Sequence, residues 1–369
     1  MWSEDGPTAR GGLQVTRSGR LPAEWEPQSA IMLTWPRQDG DFARAGDDPL
    51  LAAEISLLSI AALASRQQRV LLIIEDRPMA TRLHTLIEEA GGSPGNLDFI
   101  EAPADDIWAR DHGPLTLIDE GRPLLLNFRF DGWGGKFPAN RDNAINQTVH
   151  GAGGFGQAEM LSFDQVLEGG AIESDGAGTL ITTRRWLKRC CPAPLILTKY
   201  IDFISQLFDI KHFIILENGE IRGDDTAGHV DMLVRFANPQ TLLYQSCEQP
   251  DDPHYRSLQA LATELRTLRR KNGQAFAVHP LPFPGKITGA QGERLPASYA
   301  NFLLTDRQVL VPAFGSSADD EARELIARCF PDRQAVSIDC LPLINQGGGL
   351  HCAAMQLPAG LLDRPENPQ

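Results

Sequence analysis

Four segments of this chain repeat one pattern, an apolar run, a short polar turn and a second apolar run. They are PLTLIDEGRPLLLNFRF, GAIESDGAGTLITT, DMLVRFANPQTLLYQ and YANFLLTDRQVLVPAF. Apolar residues rich in β-branched side chains, divided by turn residues, mark each as a β-hairpin. The turns centre near residues 120, 177, 239 and 307, so successive copies stand about 57, 62 and 68 residues apart. A partial earlier copy lies in AIMLTWPRQDGDF. Between the copies the sequence predicts helices over 48–68, 79–90, 200–208, 254–271 and 318–329, and further strands over 69–75 and 97–102. The 254–271 helix is expected to stop at Asn272-Gly273, which suits a C-terminal cap. A quasi-repeat of strands plus one helix restricts the chain to an α/β architecture built as a ring of similar modules. Residues 1–20 read as a loose N-terminal arm ahead of a single domain spanning 21–360.

Composition narrows the function classes. No run of eighteen apolar residues occurs, which excludes a transmembrane helix, and the polar start MWSEDGPTARGGLQVTRSG lacks the apolar segment of a secretory signal. A cytoplasmic location is expected. Net charge is −14 and Lys and Arg are not clustered enough to track nucleic-acid phosphates. The densest basic stretch, Arg266 to Lys271, is expected on the solvated face of one helix. The acidic balance favours a cationic ligand. Six cysteines without a CxxC pair give neither a disulfide framework nor a zinc finger.

Polar clusters stand immediately ahead of the hairpins: DDIWARDHGP, LEGG, GDDTAGHVD and LPASYAN. A fifth, INQGGGLHC, precedes a last strand, AAMQLP. In a ring, equivalent strand starts converge on one end of the axis. Cys352 follows three glycines that permit unusual backbone and close approach; it reads either as an exposed nucleophile needing a cation beside it or as a small core residue. His229 and Asp231 share a face if extended, as an acid/base beside a binding carboxylate or as a surface pair. Asp111, next to Trp108, suits a cation with an apolar stem, or else pairs with Arg110 at the surface. Glu168 is a semi-buried carboxylate or a strand-end charge facing water. A zinc site from His229, Asp231, His351 and Cys352 is disfavoured, because adjacent His351 and Cys352 would point to opposite faces. A Cys–His–acid protease would leave the surplus carboxylates idle. A planar guanidinium uses them all, with carboxylates on its N–H groups and sulfur attacking its carbon.

The blocks EWEPQSAIMLTWP, DIWARDHGP, GWGGKF, LEGGAIESDGAGTLITT, DDTAGHVD and INQGGGLHC, in this order from Glu24 to Pro358, resemble the agmatine deiminase / bacterial-type peptidylarginine deiminase family of the guanidine-modifying pentein superfamily. The resemblance implies a five-module β/α propeller with pseudo-fivefold symmetry and an axial site that needs no metal or cofactor. It implies Cys352 as nucleophile, His229 as general acid/base, and Asp111 and Asp231 as guanidinium-binding carboxylates. Glu168 would pair with His229 and orient the substrate. Trp108 would wall the aliphatic stem, and Gly348 and Gly349 belong to the loop presenting the thiol. The implied reaction converts agmatine to N-carbamoylputrescine and ammonia through a covalent amidino-thioether; kinship also implies a homo-oligomer.

Three stretches depart from the family pattern: RRWLKRCCPAP after the LEGG block, Met232 after GHVD, and PANRDNA after GWGGKF. They are expected around the substrate tail. Agmatine wants a carboxylate about four methylenes from its guanidinium, for which Asp225 or Asp224 is the candidate. Arginine or a peptidyl arginine would instead want a cation such as Arg141 or an open groove. A rival of another class is a catalytically silent guanidinium- or polyamine-binding relative.

Overall fold

A computed structural model describes residues 15, 17–40 and 49–362. Asp48, where the first predicted helix is expected to begin, and most of the predicted arm lie outside these residues. The end of the arm is pinned, with Gly19 N–H donating to Leu207 O and Arg20 bridging Ile118.

The described residues form an α/β fold of five mixed sheets. β1 (Gln28–Thr34), β2 (Arg69–Ile74) and β3 (Leu97–Glu101) run parallel to one another. The next four sheets each join a hairpin to a third, parallel strand reached through helical crossovers. They comprise β4 (Leu115–Asp119), β5 (Arg122–Arg129) and β6 (Glu159–Val166); β7 (Glu173–Ser174), β8 (Thr179–Thr183) and β9 (His212–Leu216); β10 (Val234–Asn238), β11 (Thr241–Gln245) and β12 (Ala277–Leu281); and β13 (Leu303–Leu304), β14 (Gln308–Ala313) and β15 (Gln334–Asp339). The last strand, β16 (Ala354–Pro358), lies antiparallel to β1. The fifth hairpin is therefore split between the two ends of the chain, which explains why only half of it is readable before residue 41.

Buried strands account for the continuous apolar runs. In β1, Ile31 and Leu33 face one apolar core while Ala30 and Met32 face another; Val70, Leu72 and Ile74 of β2 divide from Leu71 and Ile73 in the same way. Helices occur at Pro49–Ser65, Arg77–Glu89 and Asp319–Cys329, near the expected bounds, while the helix expected over 200–208 starts six residues earlier, Pro194–Leu207, opened by its proline. The predicted 254–271 helix is shorter, Tyr255–Thr267. Leu268 turns extended, and Asn272-Gly273 lies instead in a tight turn closed by the Arg269–Ala275 bridge, with Gly273 at φ +81°. The basic stretch Arg266 to Lys271 is consequently not one helical face. Asp142–Gly151 and Arg184–Cys190 are helices that the sequence pattern did not mark.

Candidate active site

The five polar clusters sit at equivalent places, immediately ahead of β4, β7, β10, β13 and β16, the outer strand of each antiparallel pair. Four of them bring Asp111, Glu168, His229, Asp231 and Cys352 together, and the fifth supplies Asn301.

Asp111 lies in a single helical turn, Ala109–His112, that stops at Gly113 ahead of Pro114. Arg110 N–H donates to Cys352 O at 3.0 Å and ties this turn to the thiol. The Arg110 side chain does not pair with Asp111 at the surface; it is buried on the other side, on Glu24 and Gln356. Asp111 Oδ2 accepts from the Trp133 indole at 2.9 Å, and Oδ1 lies 3.4 Å from Gly170 N. Trp133 reaches it because Gly132, Trp133, Gly134 and Gly135 all have φ between +56° and +86°. Glycine takes that left-handed run without strain, whereas the indole's residue is held there at a cost of about 1–3 kcal/mol. GWGG thus aims a donor at Asp111, a role that a lone Trp among glycines could have signalled.

Glu168 is fully buried rather than facing water. Arg189 Nη2 spans both its oxygens at 2.5 Å, and the Trp186 indole donates to Oε2 at 2.5 Å. Both donors come from RRWLKRC, so this departure from the family pattern stands behind an acid of the site and not along a substrate tail. Burial would raise the carboxyl, but His229 and Arg189 outweigh it and hold Glu168 at about 2. Removing one member of a buried ion pair costs about 3–5 kcal/mol. Arg189→Met should lower the denaturant midpoint by an equivalent amount; an unchanged midpoint would show that Glu168 does not depend on this cation.

His229 has no exposed surface. Nδ1 lies 3.6 Å from Asp111 Oδ1 and Nε2 3.6 Å from Glu168 Oε2. Neither nitrogen has a hydrogen-bond partner among the described residues, and neither does Asp231 Oδ1. The other Asp231 oxygen accepts from His351 at 2.8 Å and lies 3.7 Å from Cys352 Sγ. Asn301 Nδ2 is 3.4 Å from the same sulfur, and its Oδ1 takes the His351 backbone N–H at 2.9 Å. Gly170 closes the ring: a Cβ there would lie 2.6 Å from His229 Nδ1 and 3.0 Å from both Asp111 Oδ1 and Asp231 Oδ2.

The charges are strongly coupled. Burial, opposed by His229 but reinforced by Asp231 and Glu168, raises Asp111 to about 6. Burial would lower His229, but Asp111, Glu168 and Asp231 outweigh it and raise the imidazole to about 9. Burial, then Asp231 and Asp111, push the Cys352 thiol far above its ordinary range. An acid cage of this kind calls for a cation beside the sulfur.

A cavity of about 410 Å³ opens onto Asp111 and Cys352 and leads outward between Trp108 and Trp133 to Asp225, Glu293 and Arg294. Trp108 forms one wall of this cavity, its indole donating to Asp106 Oδ2 at 2.8 Å. Gly348 makes that wall possible, since a Cβ would meet the Trp108 ring at 2.4 Å; one on Gly349 would meet Asn301 Oδ1 at 2.3 Å. Asp225 lies at the mouth, half-exposed, with Lys136 Nζ at 3.7 Å. Asp224 is spent on its own loop, accepting from Thr226 and Gly228 N–H groups. Arg141 does not line the cavity and stands 3.7 Å from Asp105.

The sequence profile of the Porphyromonas-type peptidyl-arginine deiminases matches residues 20–358. The agmatine deiminase of Pseudomonas aeruginosa (strain LESB58) is 30% identical, over 92% of this chain and 95% of its own. A solved protein of Porphyromonas gingivalis, provisionally named an arginine deiminase, is 37% identical with a TM-score of 0.82, covering 92% of this chain and 98% of that one. A Cys-to-Ser variant of C. jejuni agmatine deiminase, solved with substrate bound, is 29% identical with a TM-score of 0.82 over 93% and 97%. Most of the chain is thus shared, from the first sheet to the strand that follows the thiol, and it belongs to the Porphyromonas-type peptidyl-arginine deiminase family.

Proposed function

We propose that this protein is an agmatine deiminase, hydrolysing agmatine to N-carbamoylputrescine and ammonia. The observation that carries the reading is a thiol, an imidazole and two carboxylates facing one another with His229 and one oxygen of Asp231 left without hydrogen-bond partners among the described residues. A guanidinium supplies N–H donors to Asp231 Oδ1 and to Asp111, and its positive charge lies beside the sulfur. Asp111 and Asp231 grip its N–H groups, and Glu168, itself fixed by Arg189 and Trp186, holds His229.

The bound cation favours the thiolate, the thiol proton leaves to solvent, and Cys352 sulfur adds to the guanidinium carbon. The protonated His229 gives its proton to one –NH2 group, which leaves as ammonia and creates an amidino-thioether cation. Neutral His229 then takes a proton from water as its oxygen adds to the same carbon. Collapse breaks the C–S bond, and after loss of a proton yields the ureido product and the thiolate.

Asp111 must be ionised and His229 protonated for the first step. The sign follows from the two groups: activity is lost below the carboxyl's value and above the imidazole's. kcat/KM for agmatine should describe a bell with limbs near pH 6 and pH 9. A flat profile across pH 8–10 would remove His229 as the acid.

Besides Asp111, the cavity lining carries three acids, Asp106, bonded to the Trp108 indole, Asp225, with Lys136 at 3.7 Å, and Glu293, against one base, Arg294, which is paired with Asp252 at 3.1 Å. That balance favours the amine of agmatine over the carboxylate of arginine. Turnover and product analysis with agmatine, free arginine and a blocked arginine peptide tests the assignment, and a preference for either arginine substrate would overturn it. The likeness to named agmatine deiminases supports the same choice. We further read the five sheets as the modules of a pseudo-fivefold propeller, and residues 21–360 as one catalytic domain; the shared strand order and the meeting of all five strand-leading loops support both.

A further inference from the structure

Beneath the site lies a layer of buried charges that the mechanism above does not use. His351 has no exposed surface and faces a carboxylate with each ring nitrogen: Nδ1 is 2.8 Å from Asp231 Oδ2 and Nε2 is 2.7 Å from Glu24 Oε1. A neutral imidazole carries one N–H and one lone pair. At these distances the lone pair would point at a carboxylate oxygen. The three groups therefore hold two protons between them.

Glu24 leaves no place for the second proton. Besides His351 it accepts from Gln356 Nε2 at 3.0 Å, from Arg110 Nη1 at 3.2 Å and from Arg235 Nη2. Arg235, fully buried, also binds Glu173 at 2.9 Å. The layer so far has the carboxylates of Glu24, Glu173 and Asp231 against the guanidiniums of Arg110 and Arg235. Burial pushes Glu173 up to about 7 against the pull of Arg235, and with Glu173 ionised a third positive charge balances the layer. Burial, Arg110 and Arg235 outweigh Glu24 and Asp231 and pull His351 below the ordinary imidazole range. But with a carboxylate oxygen at 2.8 and 2.7 Å from its two nitrogens a neutral ring would set its lone pair against an oxygen, and charge-assisted bonds are the stronger kind.

We infer that His351 is an imidazolium clamped between Asp231 and Glu24, and that it is a positioning residue keeping Asp231 ionised with its other oxygen turned to the guanidinium. The inference rests on the reading of Asp231 as a guanidinium-binding carboxylate. Its geometry is shared with the nucleophile, because Asn301 holds both the His351 N–H and the Cys352 sulfur.

Nitrogen-15 NMR of the histidine-labelled wild-type protein at pH 7.5 tests the charge directly, with His351 assigned from the signals lost in His351→Gln. Two ring N–H groups on His351 are expected; a ring with one unprotonated nitrogen overturns the inference. The positioning role is read from kcat/KM for agmatine against pH in His351→Gln. Without its cation, buried Asp231 takes up a proton, so KM at neutral pH should rise about 30-fold. The acid limb should move up by about two pH units, with binding recovering at higher pH. A loss that is equal at every pH overturns the role. Wild-type turnover measured alongside keeps the questions apart: a wild-type enzyme inert to agmatine rejects the substrate, while the NMR result stands or falls alone.

Discussion

Cys352→Ala should abolish ammonia release from agmatine, with kcat falling by about 10⁴-fold or more, as is usual when a covalent nucleophile is removed. The variant should stay folded, because the buried thiol makes only long polar contacts, 3.7 Å to Asp231 and 3.4 Å to Asn301, and an alanine methyl fills part of its space. Its expected binding behaviour is as informative as its rate. Asp111, Asp231 and the Trp108 wall all remain, so agmatine should still bind and stabilise the protein thermally. Folded protein with residual turnover above about one part in a hundred would reject sulfur as the attacking atom.

The second large effect concerns a residue with no side chain. In Gly170→Ala the new methyl would come within 2.6 Å of His229 Nδ1 and 3.0 Å of the two aspartates, in the space assigned to the guanidinium. Gly170 has no positive φ, so the backbone accepts alanine and the cost is one of crowding, of about 1–3 kcal/mol. Displacement of reacting groups by an ångström costs about 10²-fold or more, and kcat/KM should fall by at least that. Gly151→Ala is the control, since nothing lies within 4 Å of a Cβ there. Equal activity in both variants would mean that the substrate lies elsewhere.

Much of the candidate site was legible because each candidate catalytic side chain sits in a short stretch of conspicuous chemistry. WARDHGP, LEGG, GHVD and GGGLHC stand out against apolar surroundings, and their position ahead of a hairpin is visible from the strand pattern. Asn301 was within reach, as the last residue of LPASYAN, the cluster heading the hairpin that supplies neither acid nor thiol. Trp133 and Gly170 lay inside noted blocks without a role, since what matters about each is its distance to Asp111 and His229. Arg189 and Trp186 were placed on the wrong side of the site. A departure from a family pattern says that a partner has changed, and only packing tells which one.

The alternation of apolar runs and turns determines four hairpins, and the spacing between them determines repeated units, because those signals come from neighbours along the chain. The pairing of β1 with β16 has no local signal; it closes two sheet edges that would otherwise be exposed. The contacts of His351 with Asp231 and Glu24 join residues 120 and 327 positions apart. A carboxylate's ionisation depends on which charges lie within a few ångströms of it and on how little water remains there. Order along the chain could name the acids, therefore, but their protonation and the way they face one another around the thiol were decided by the fold.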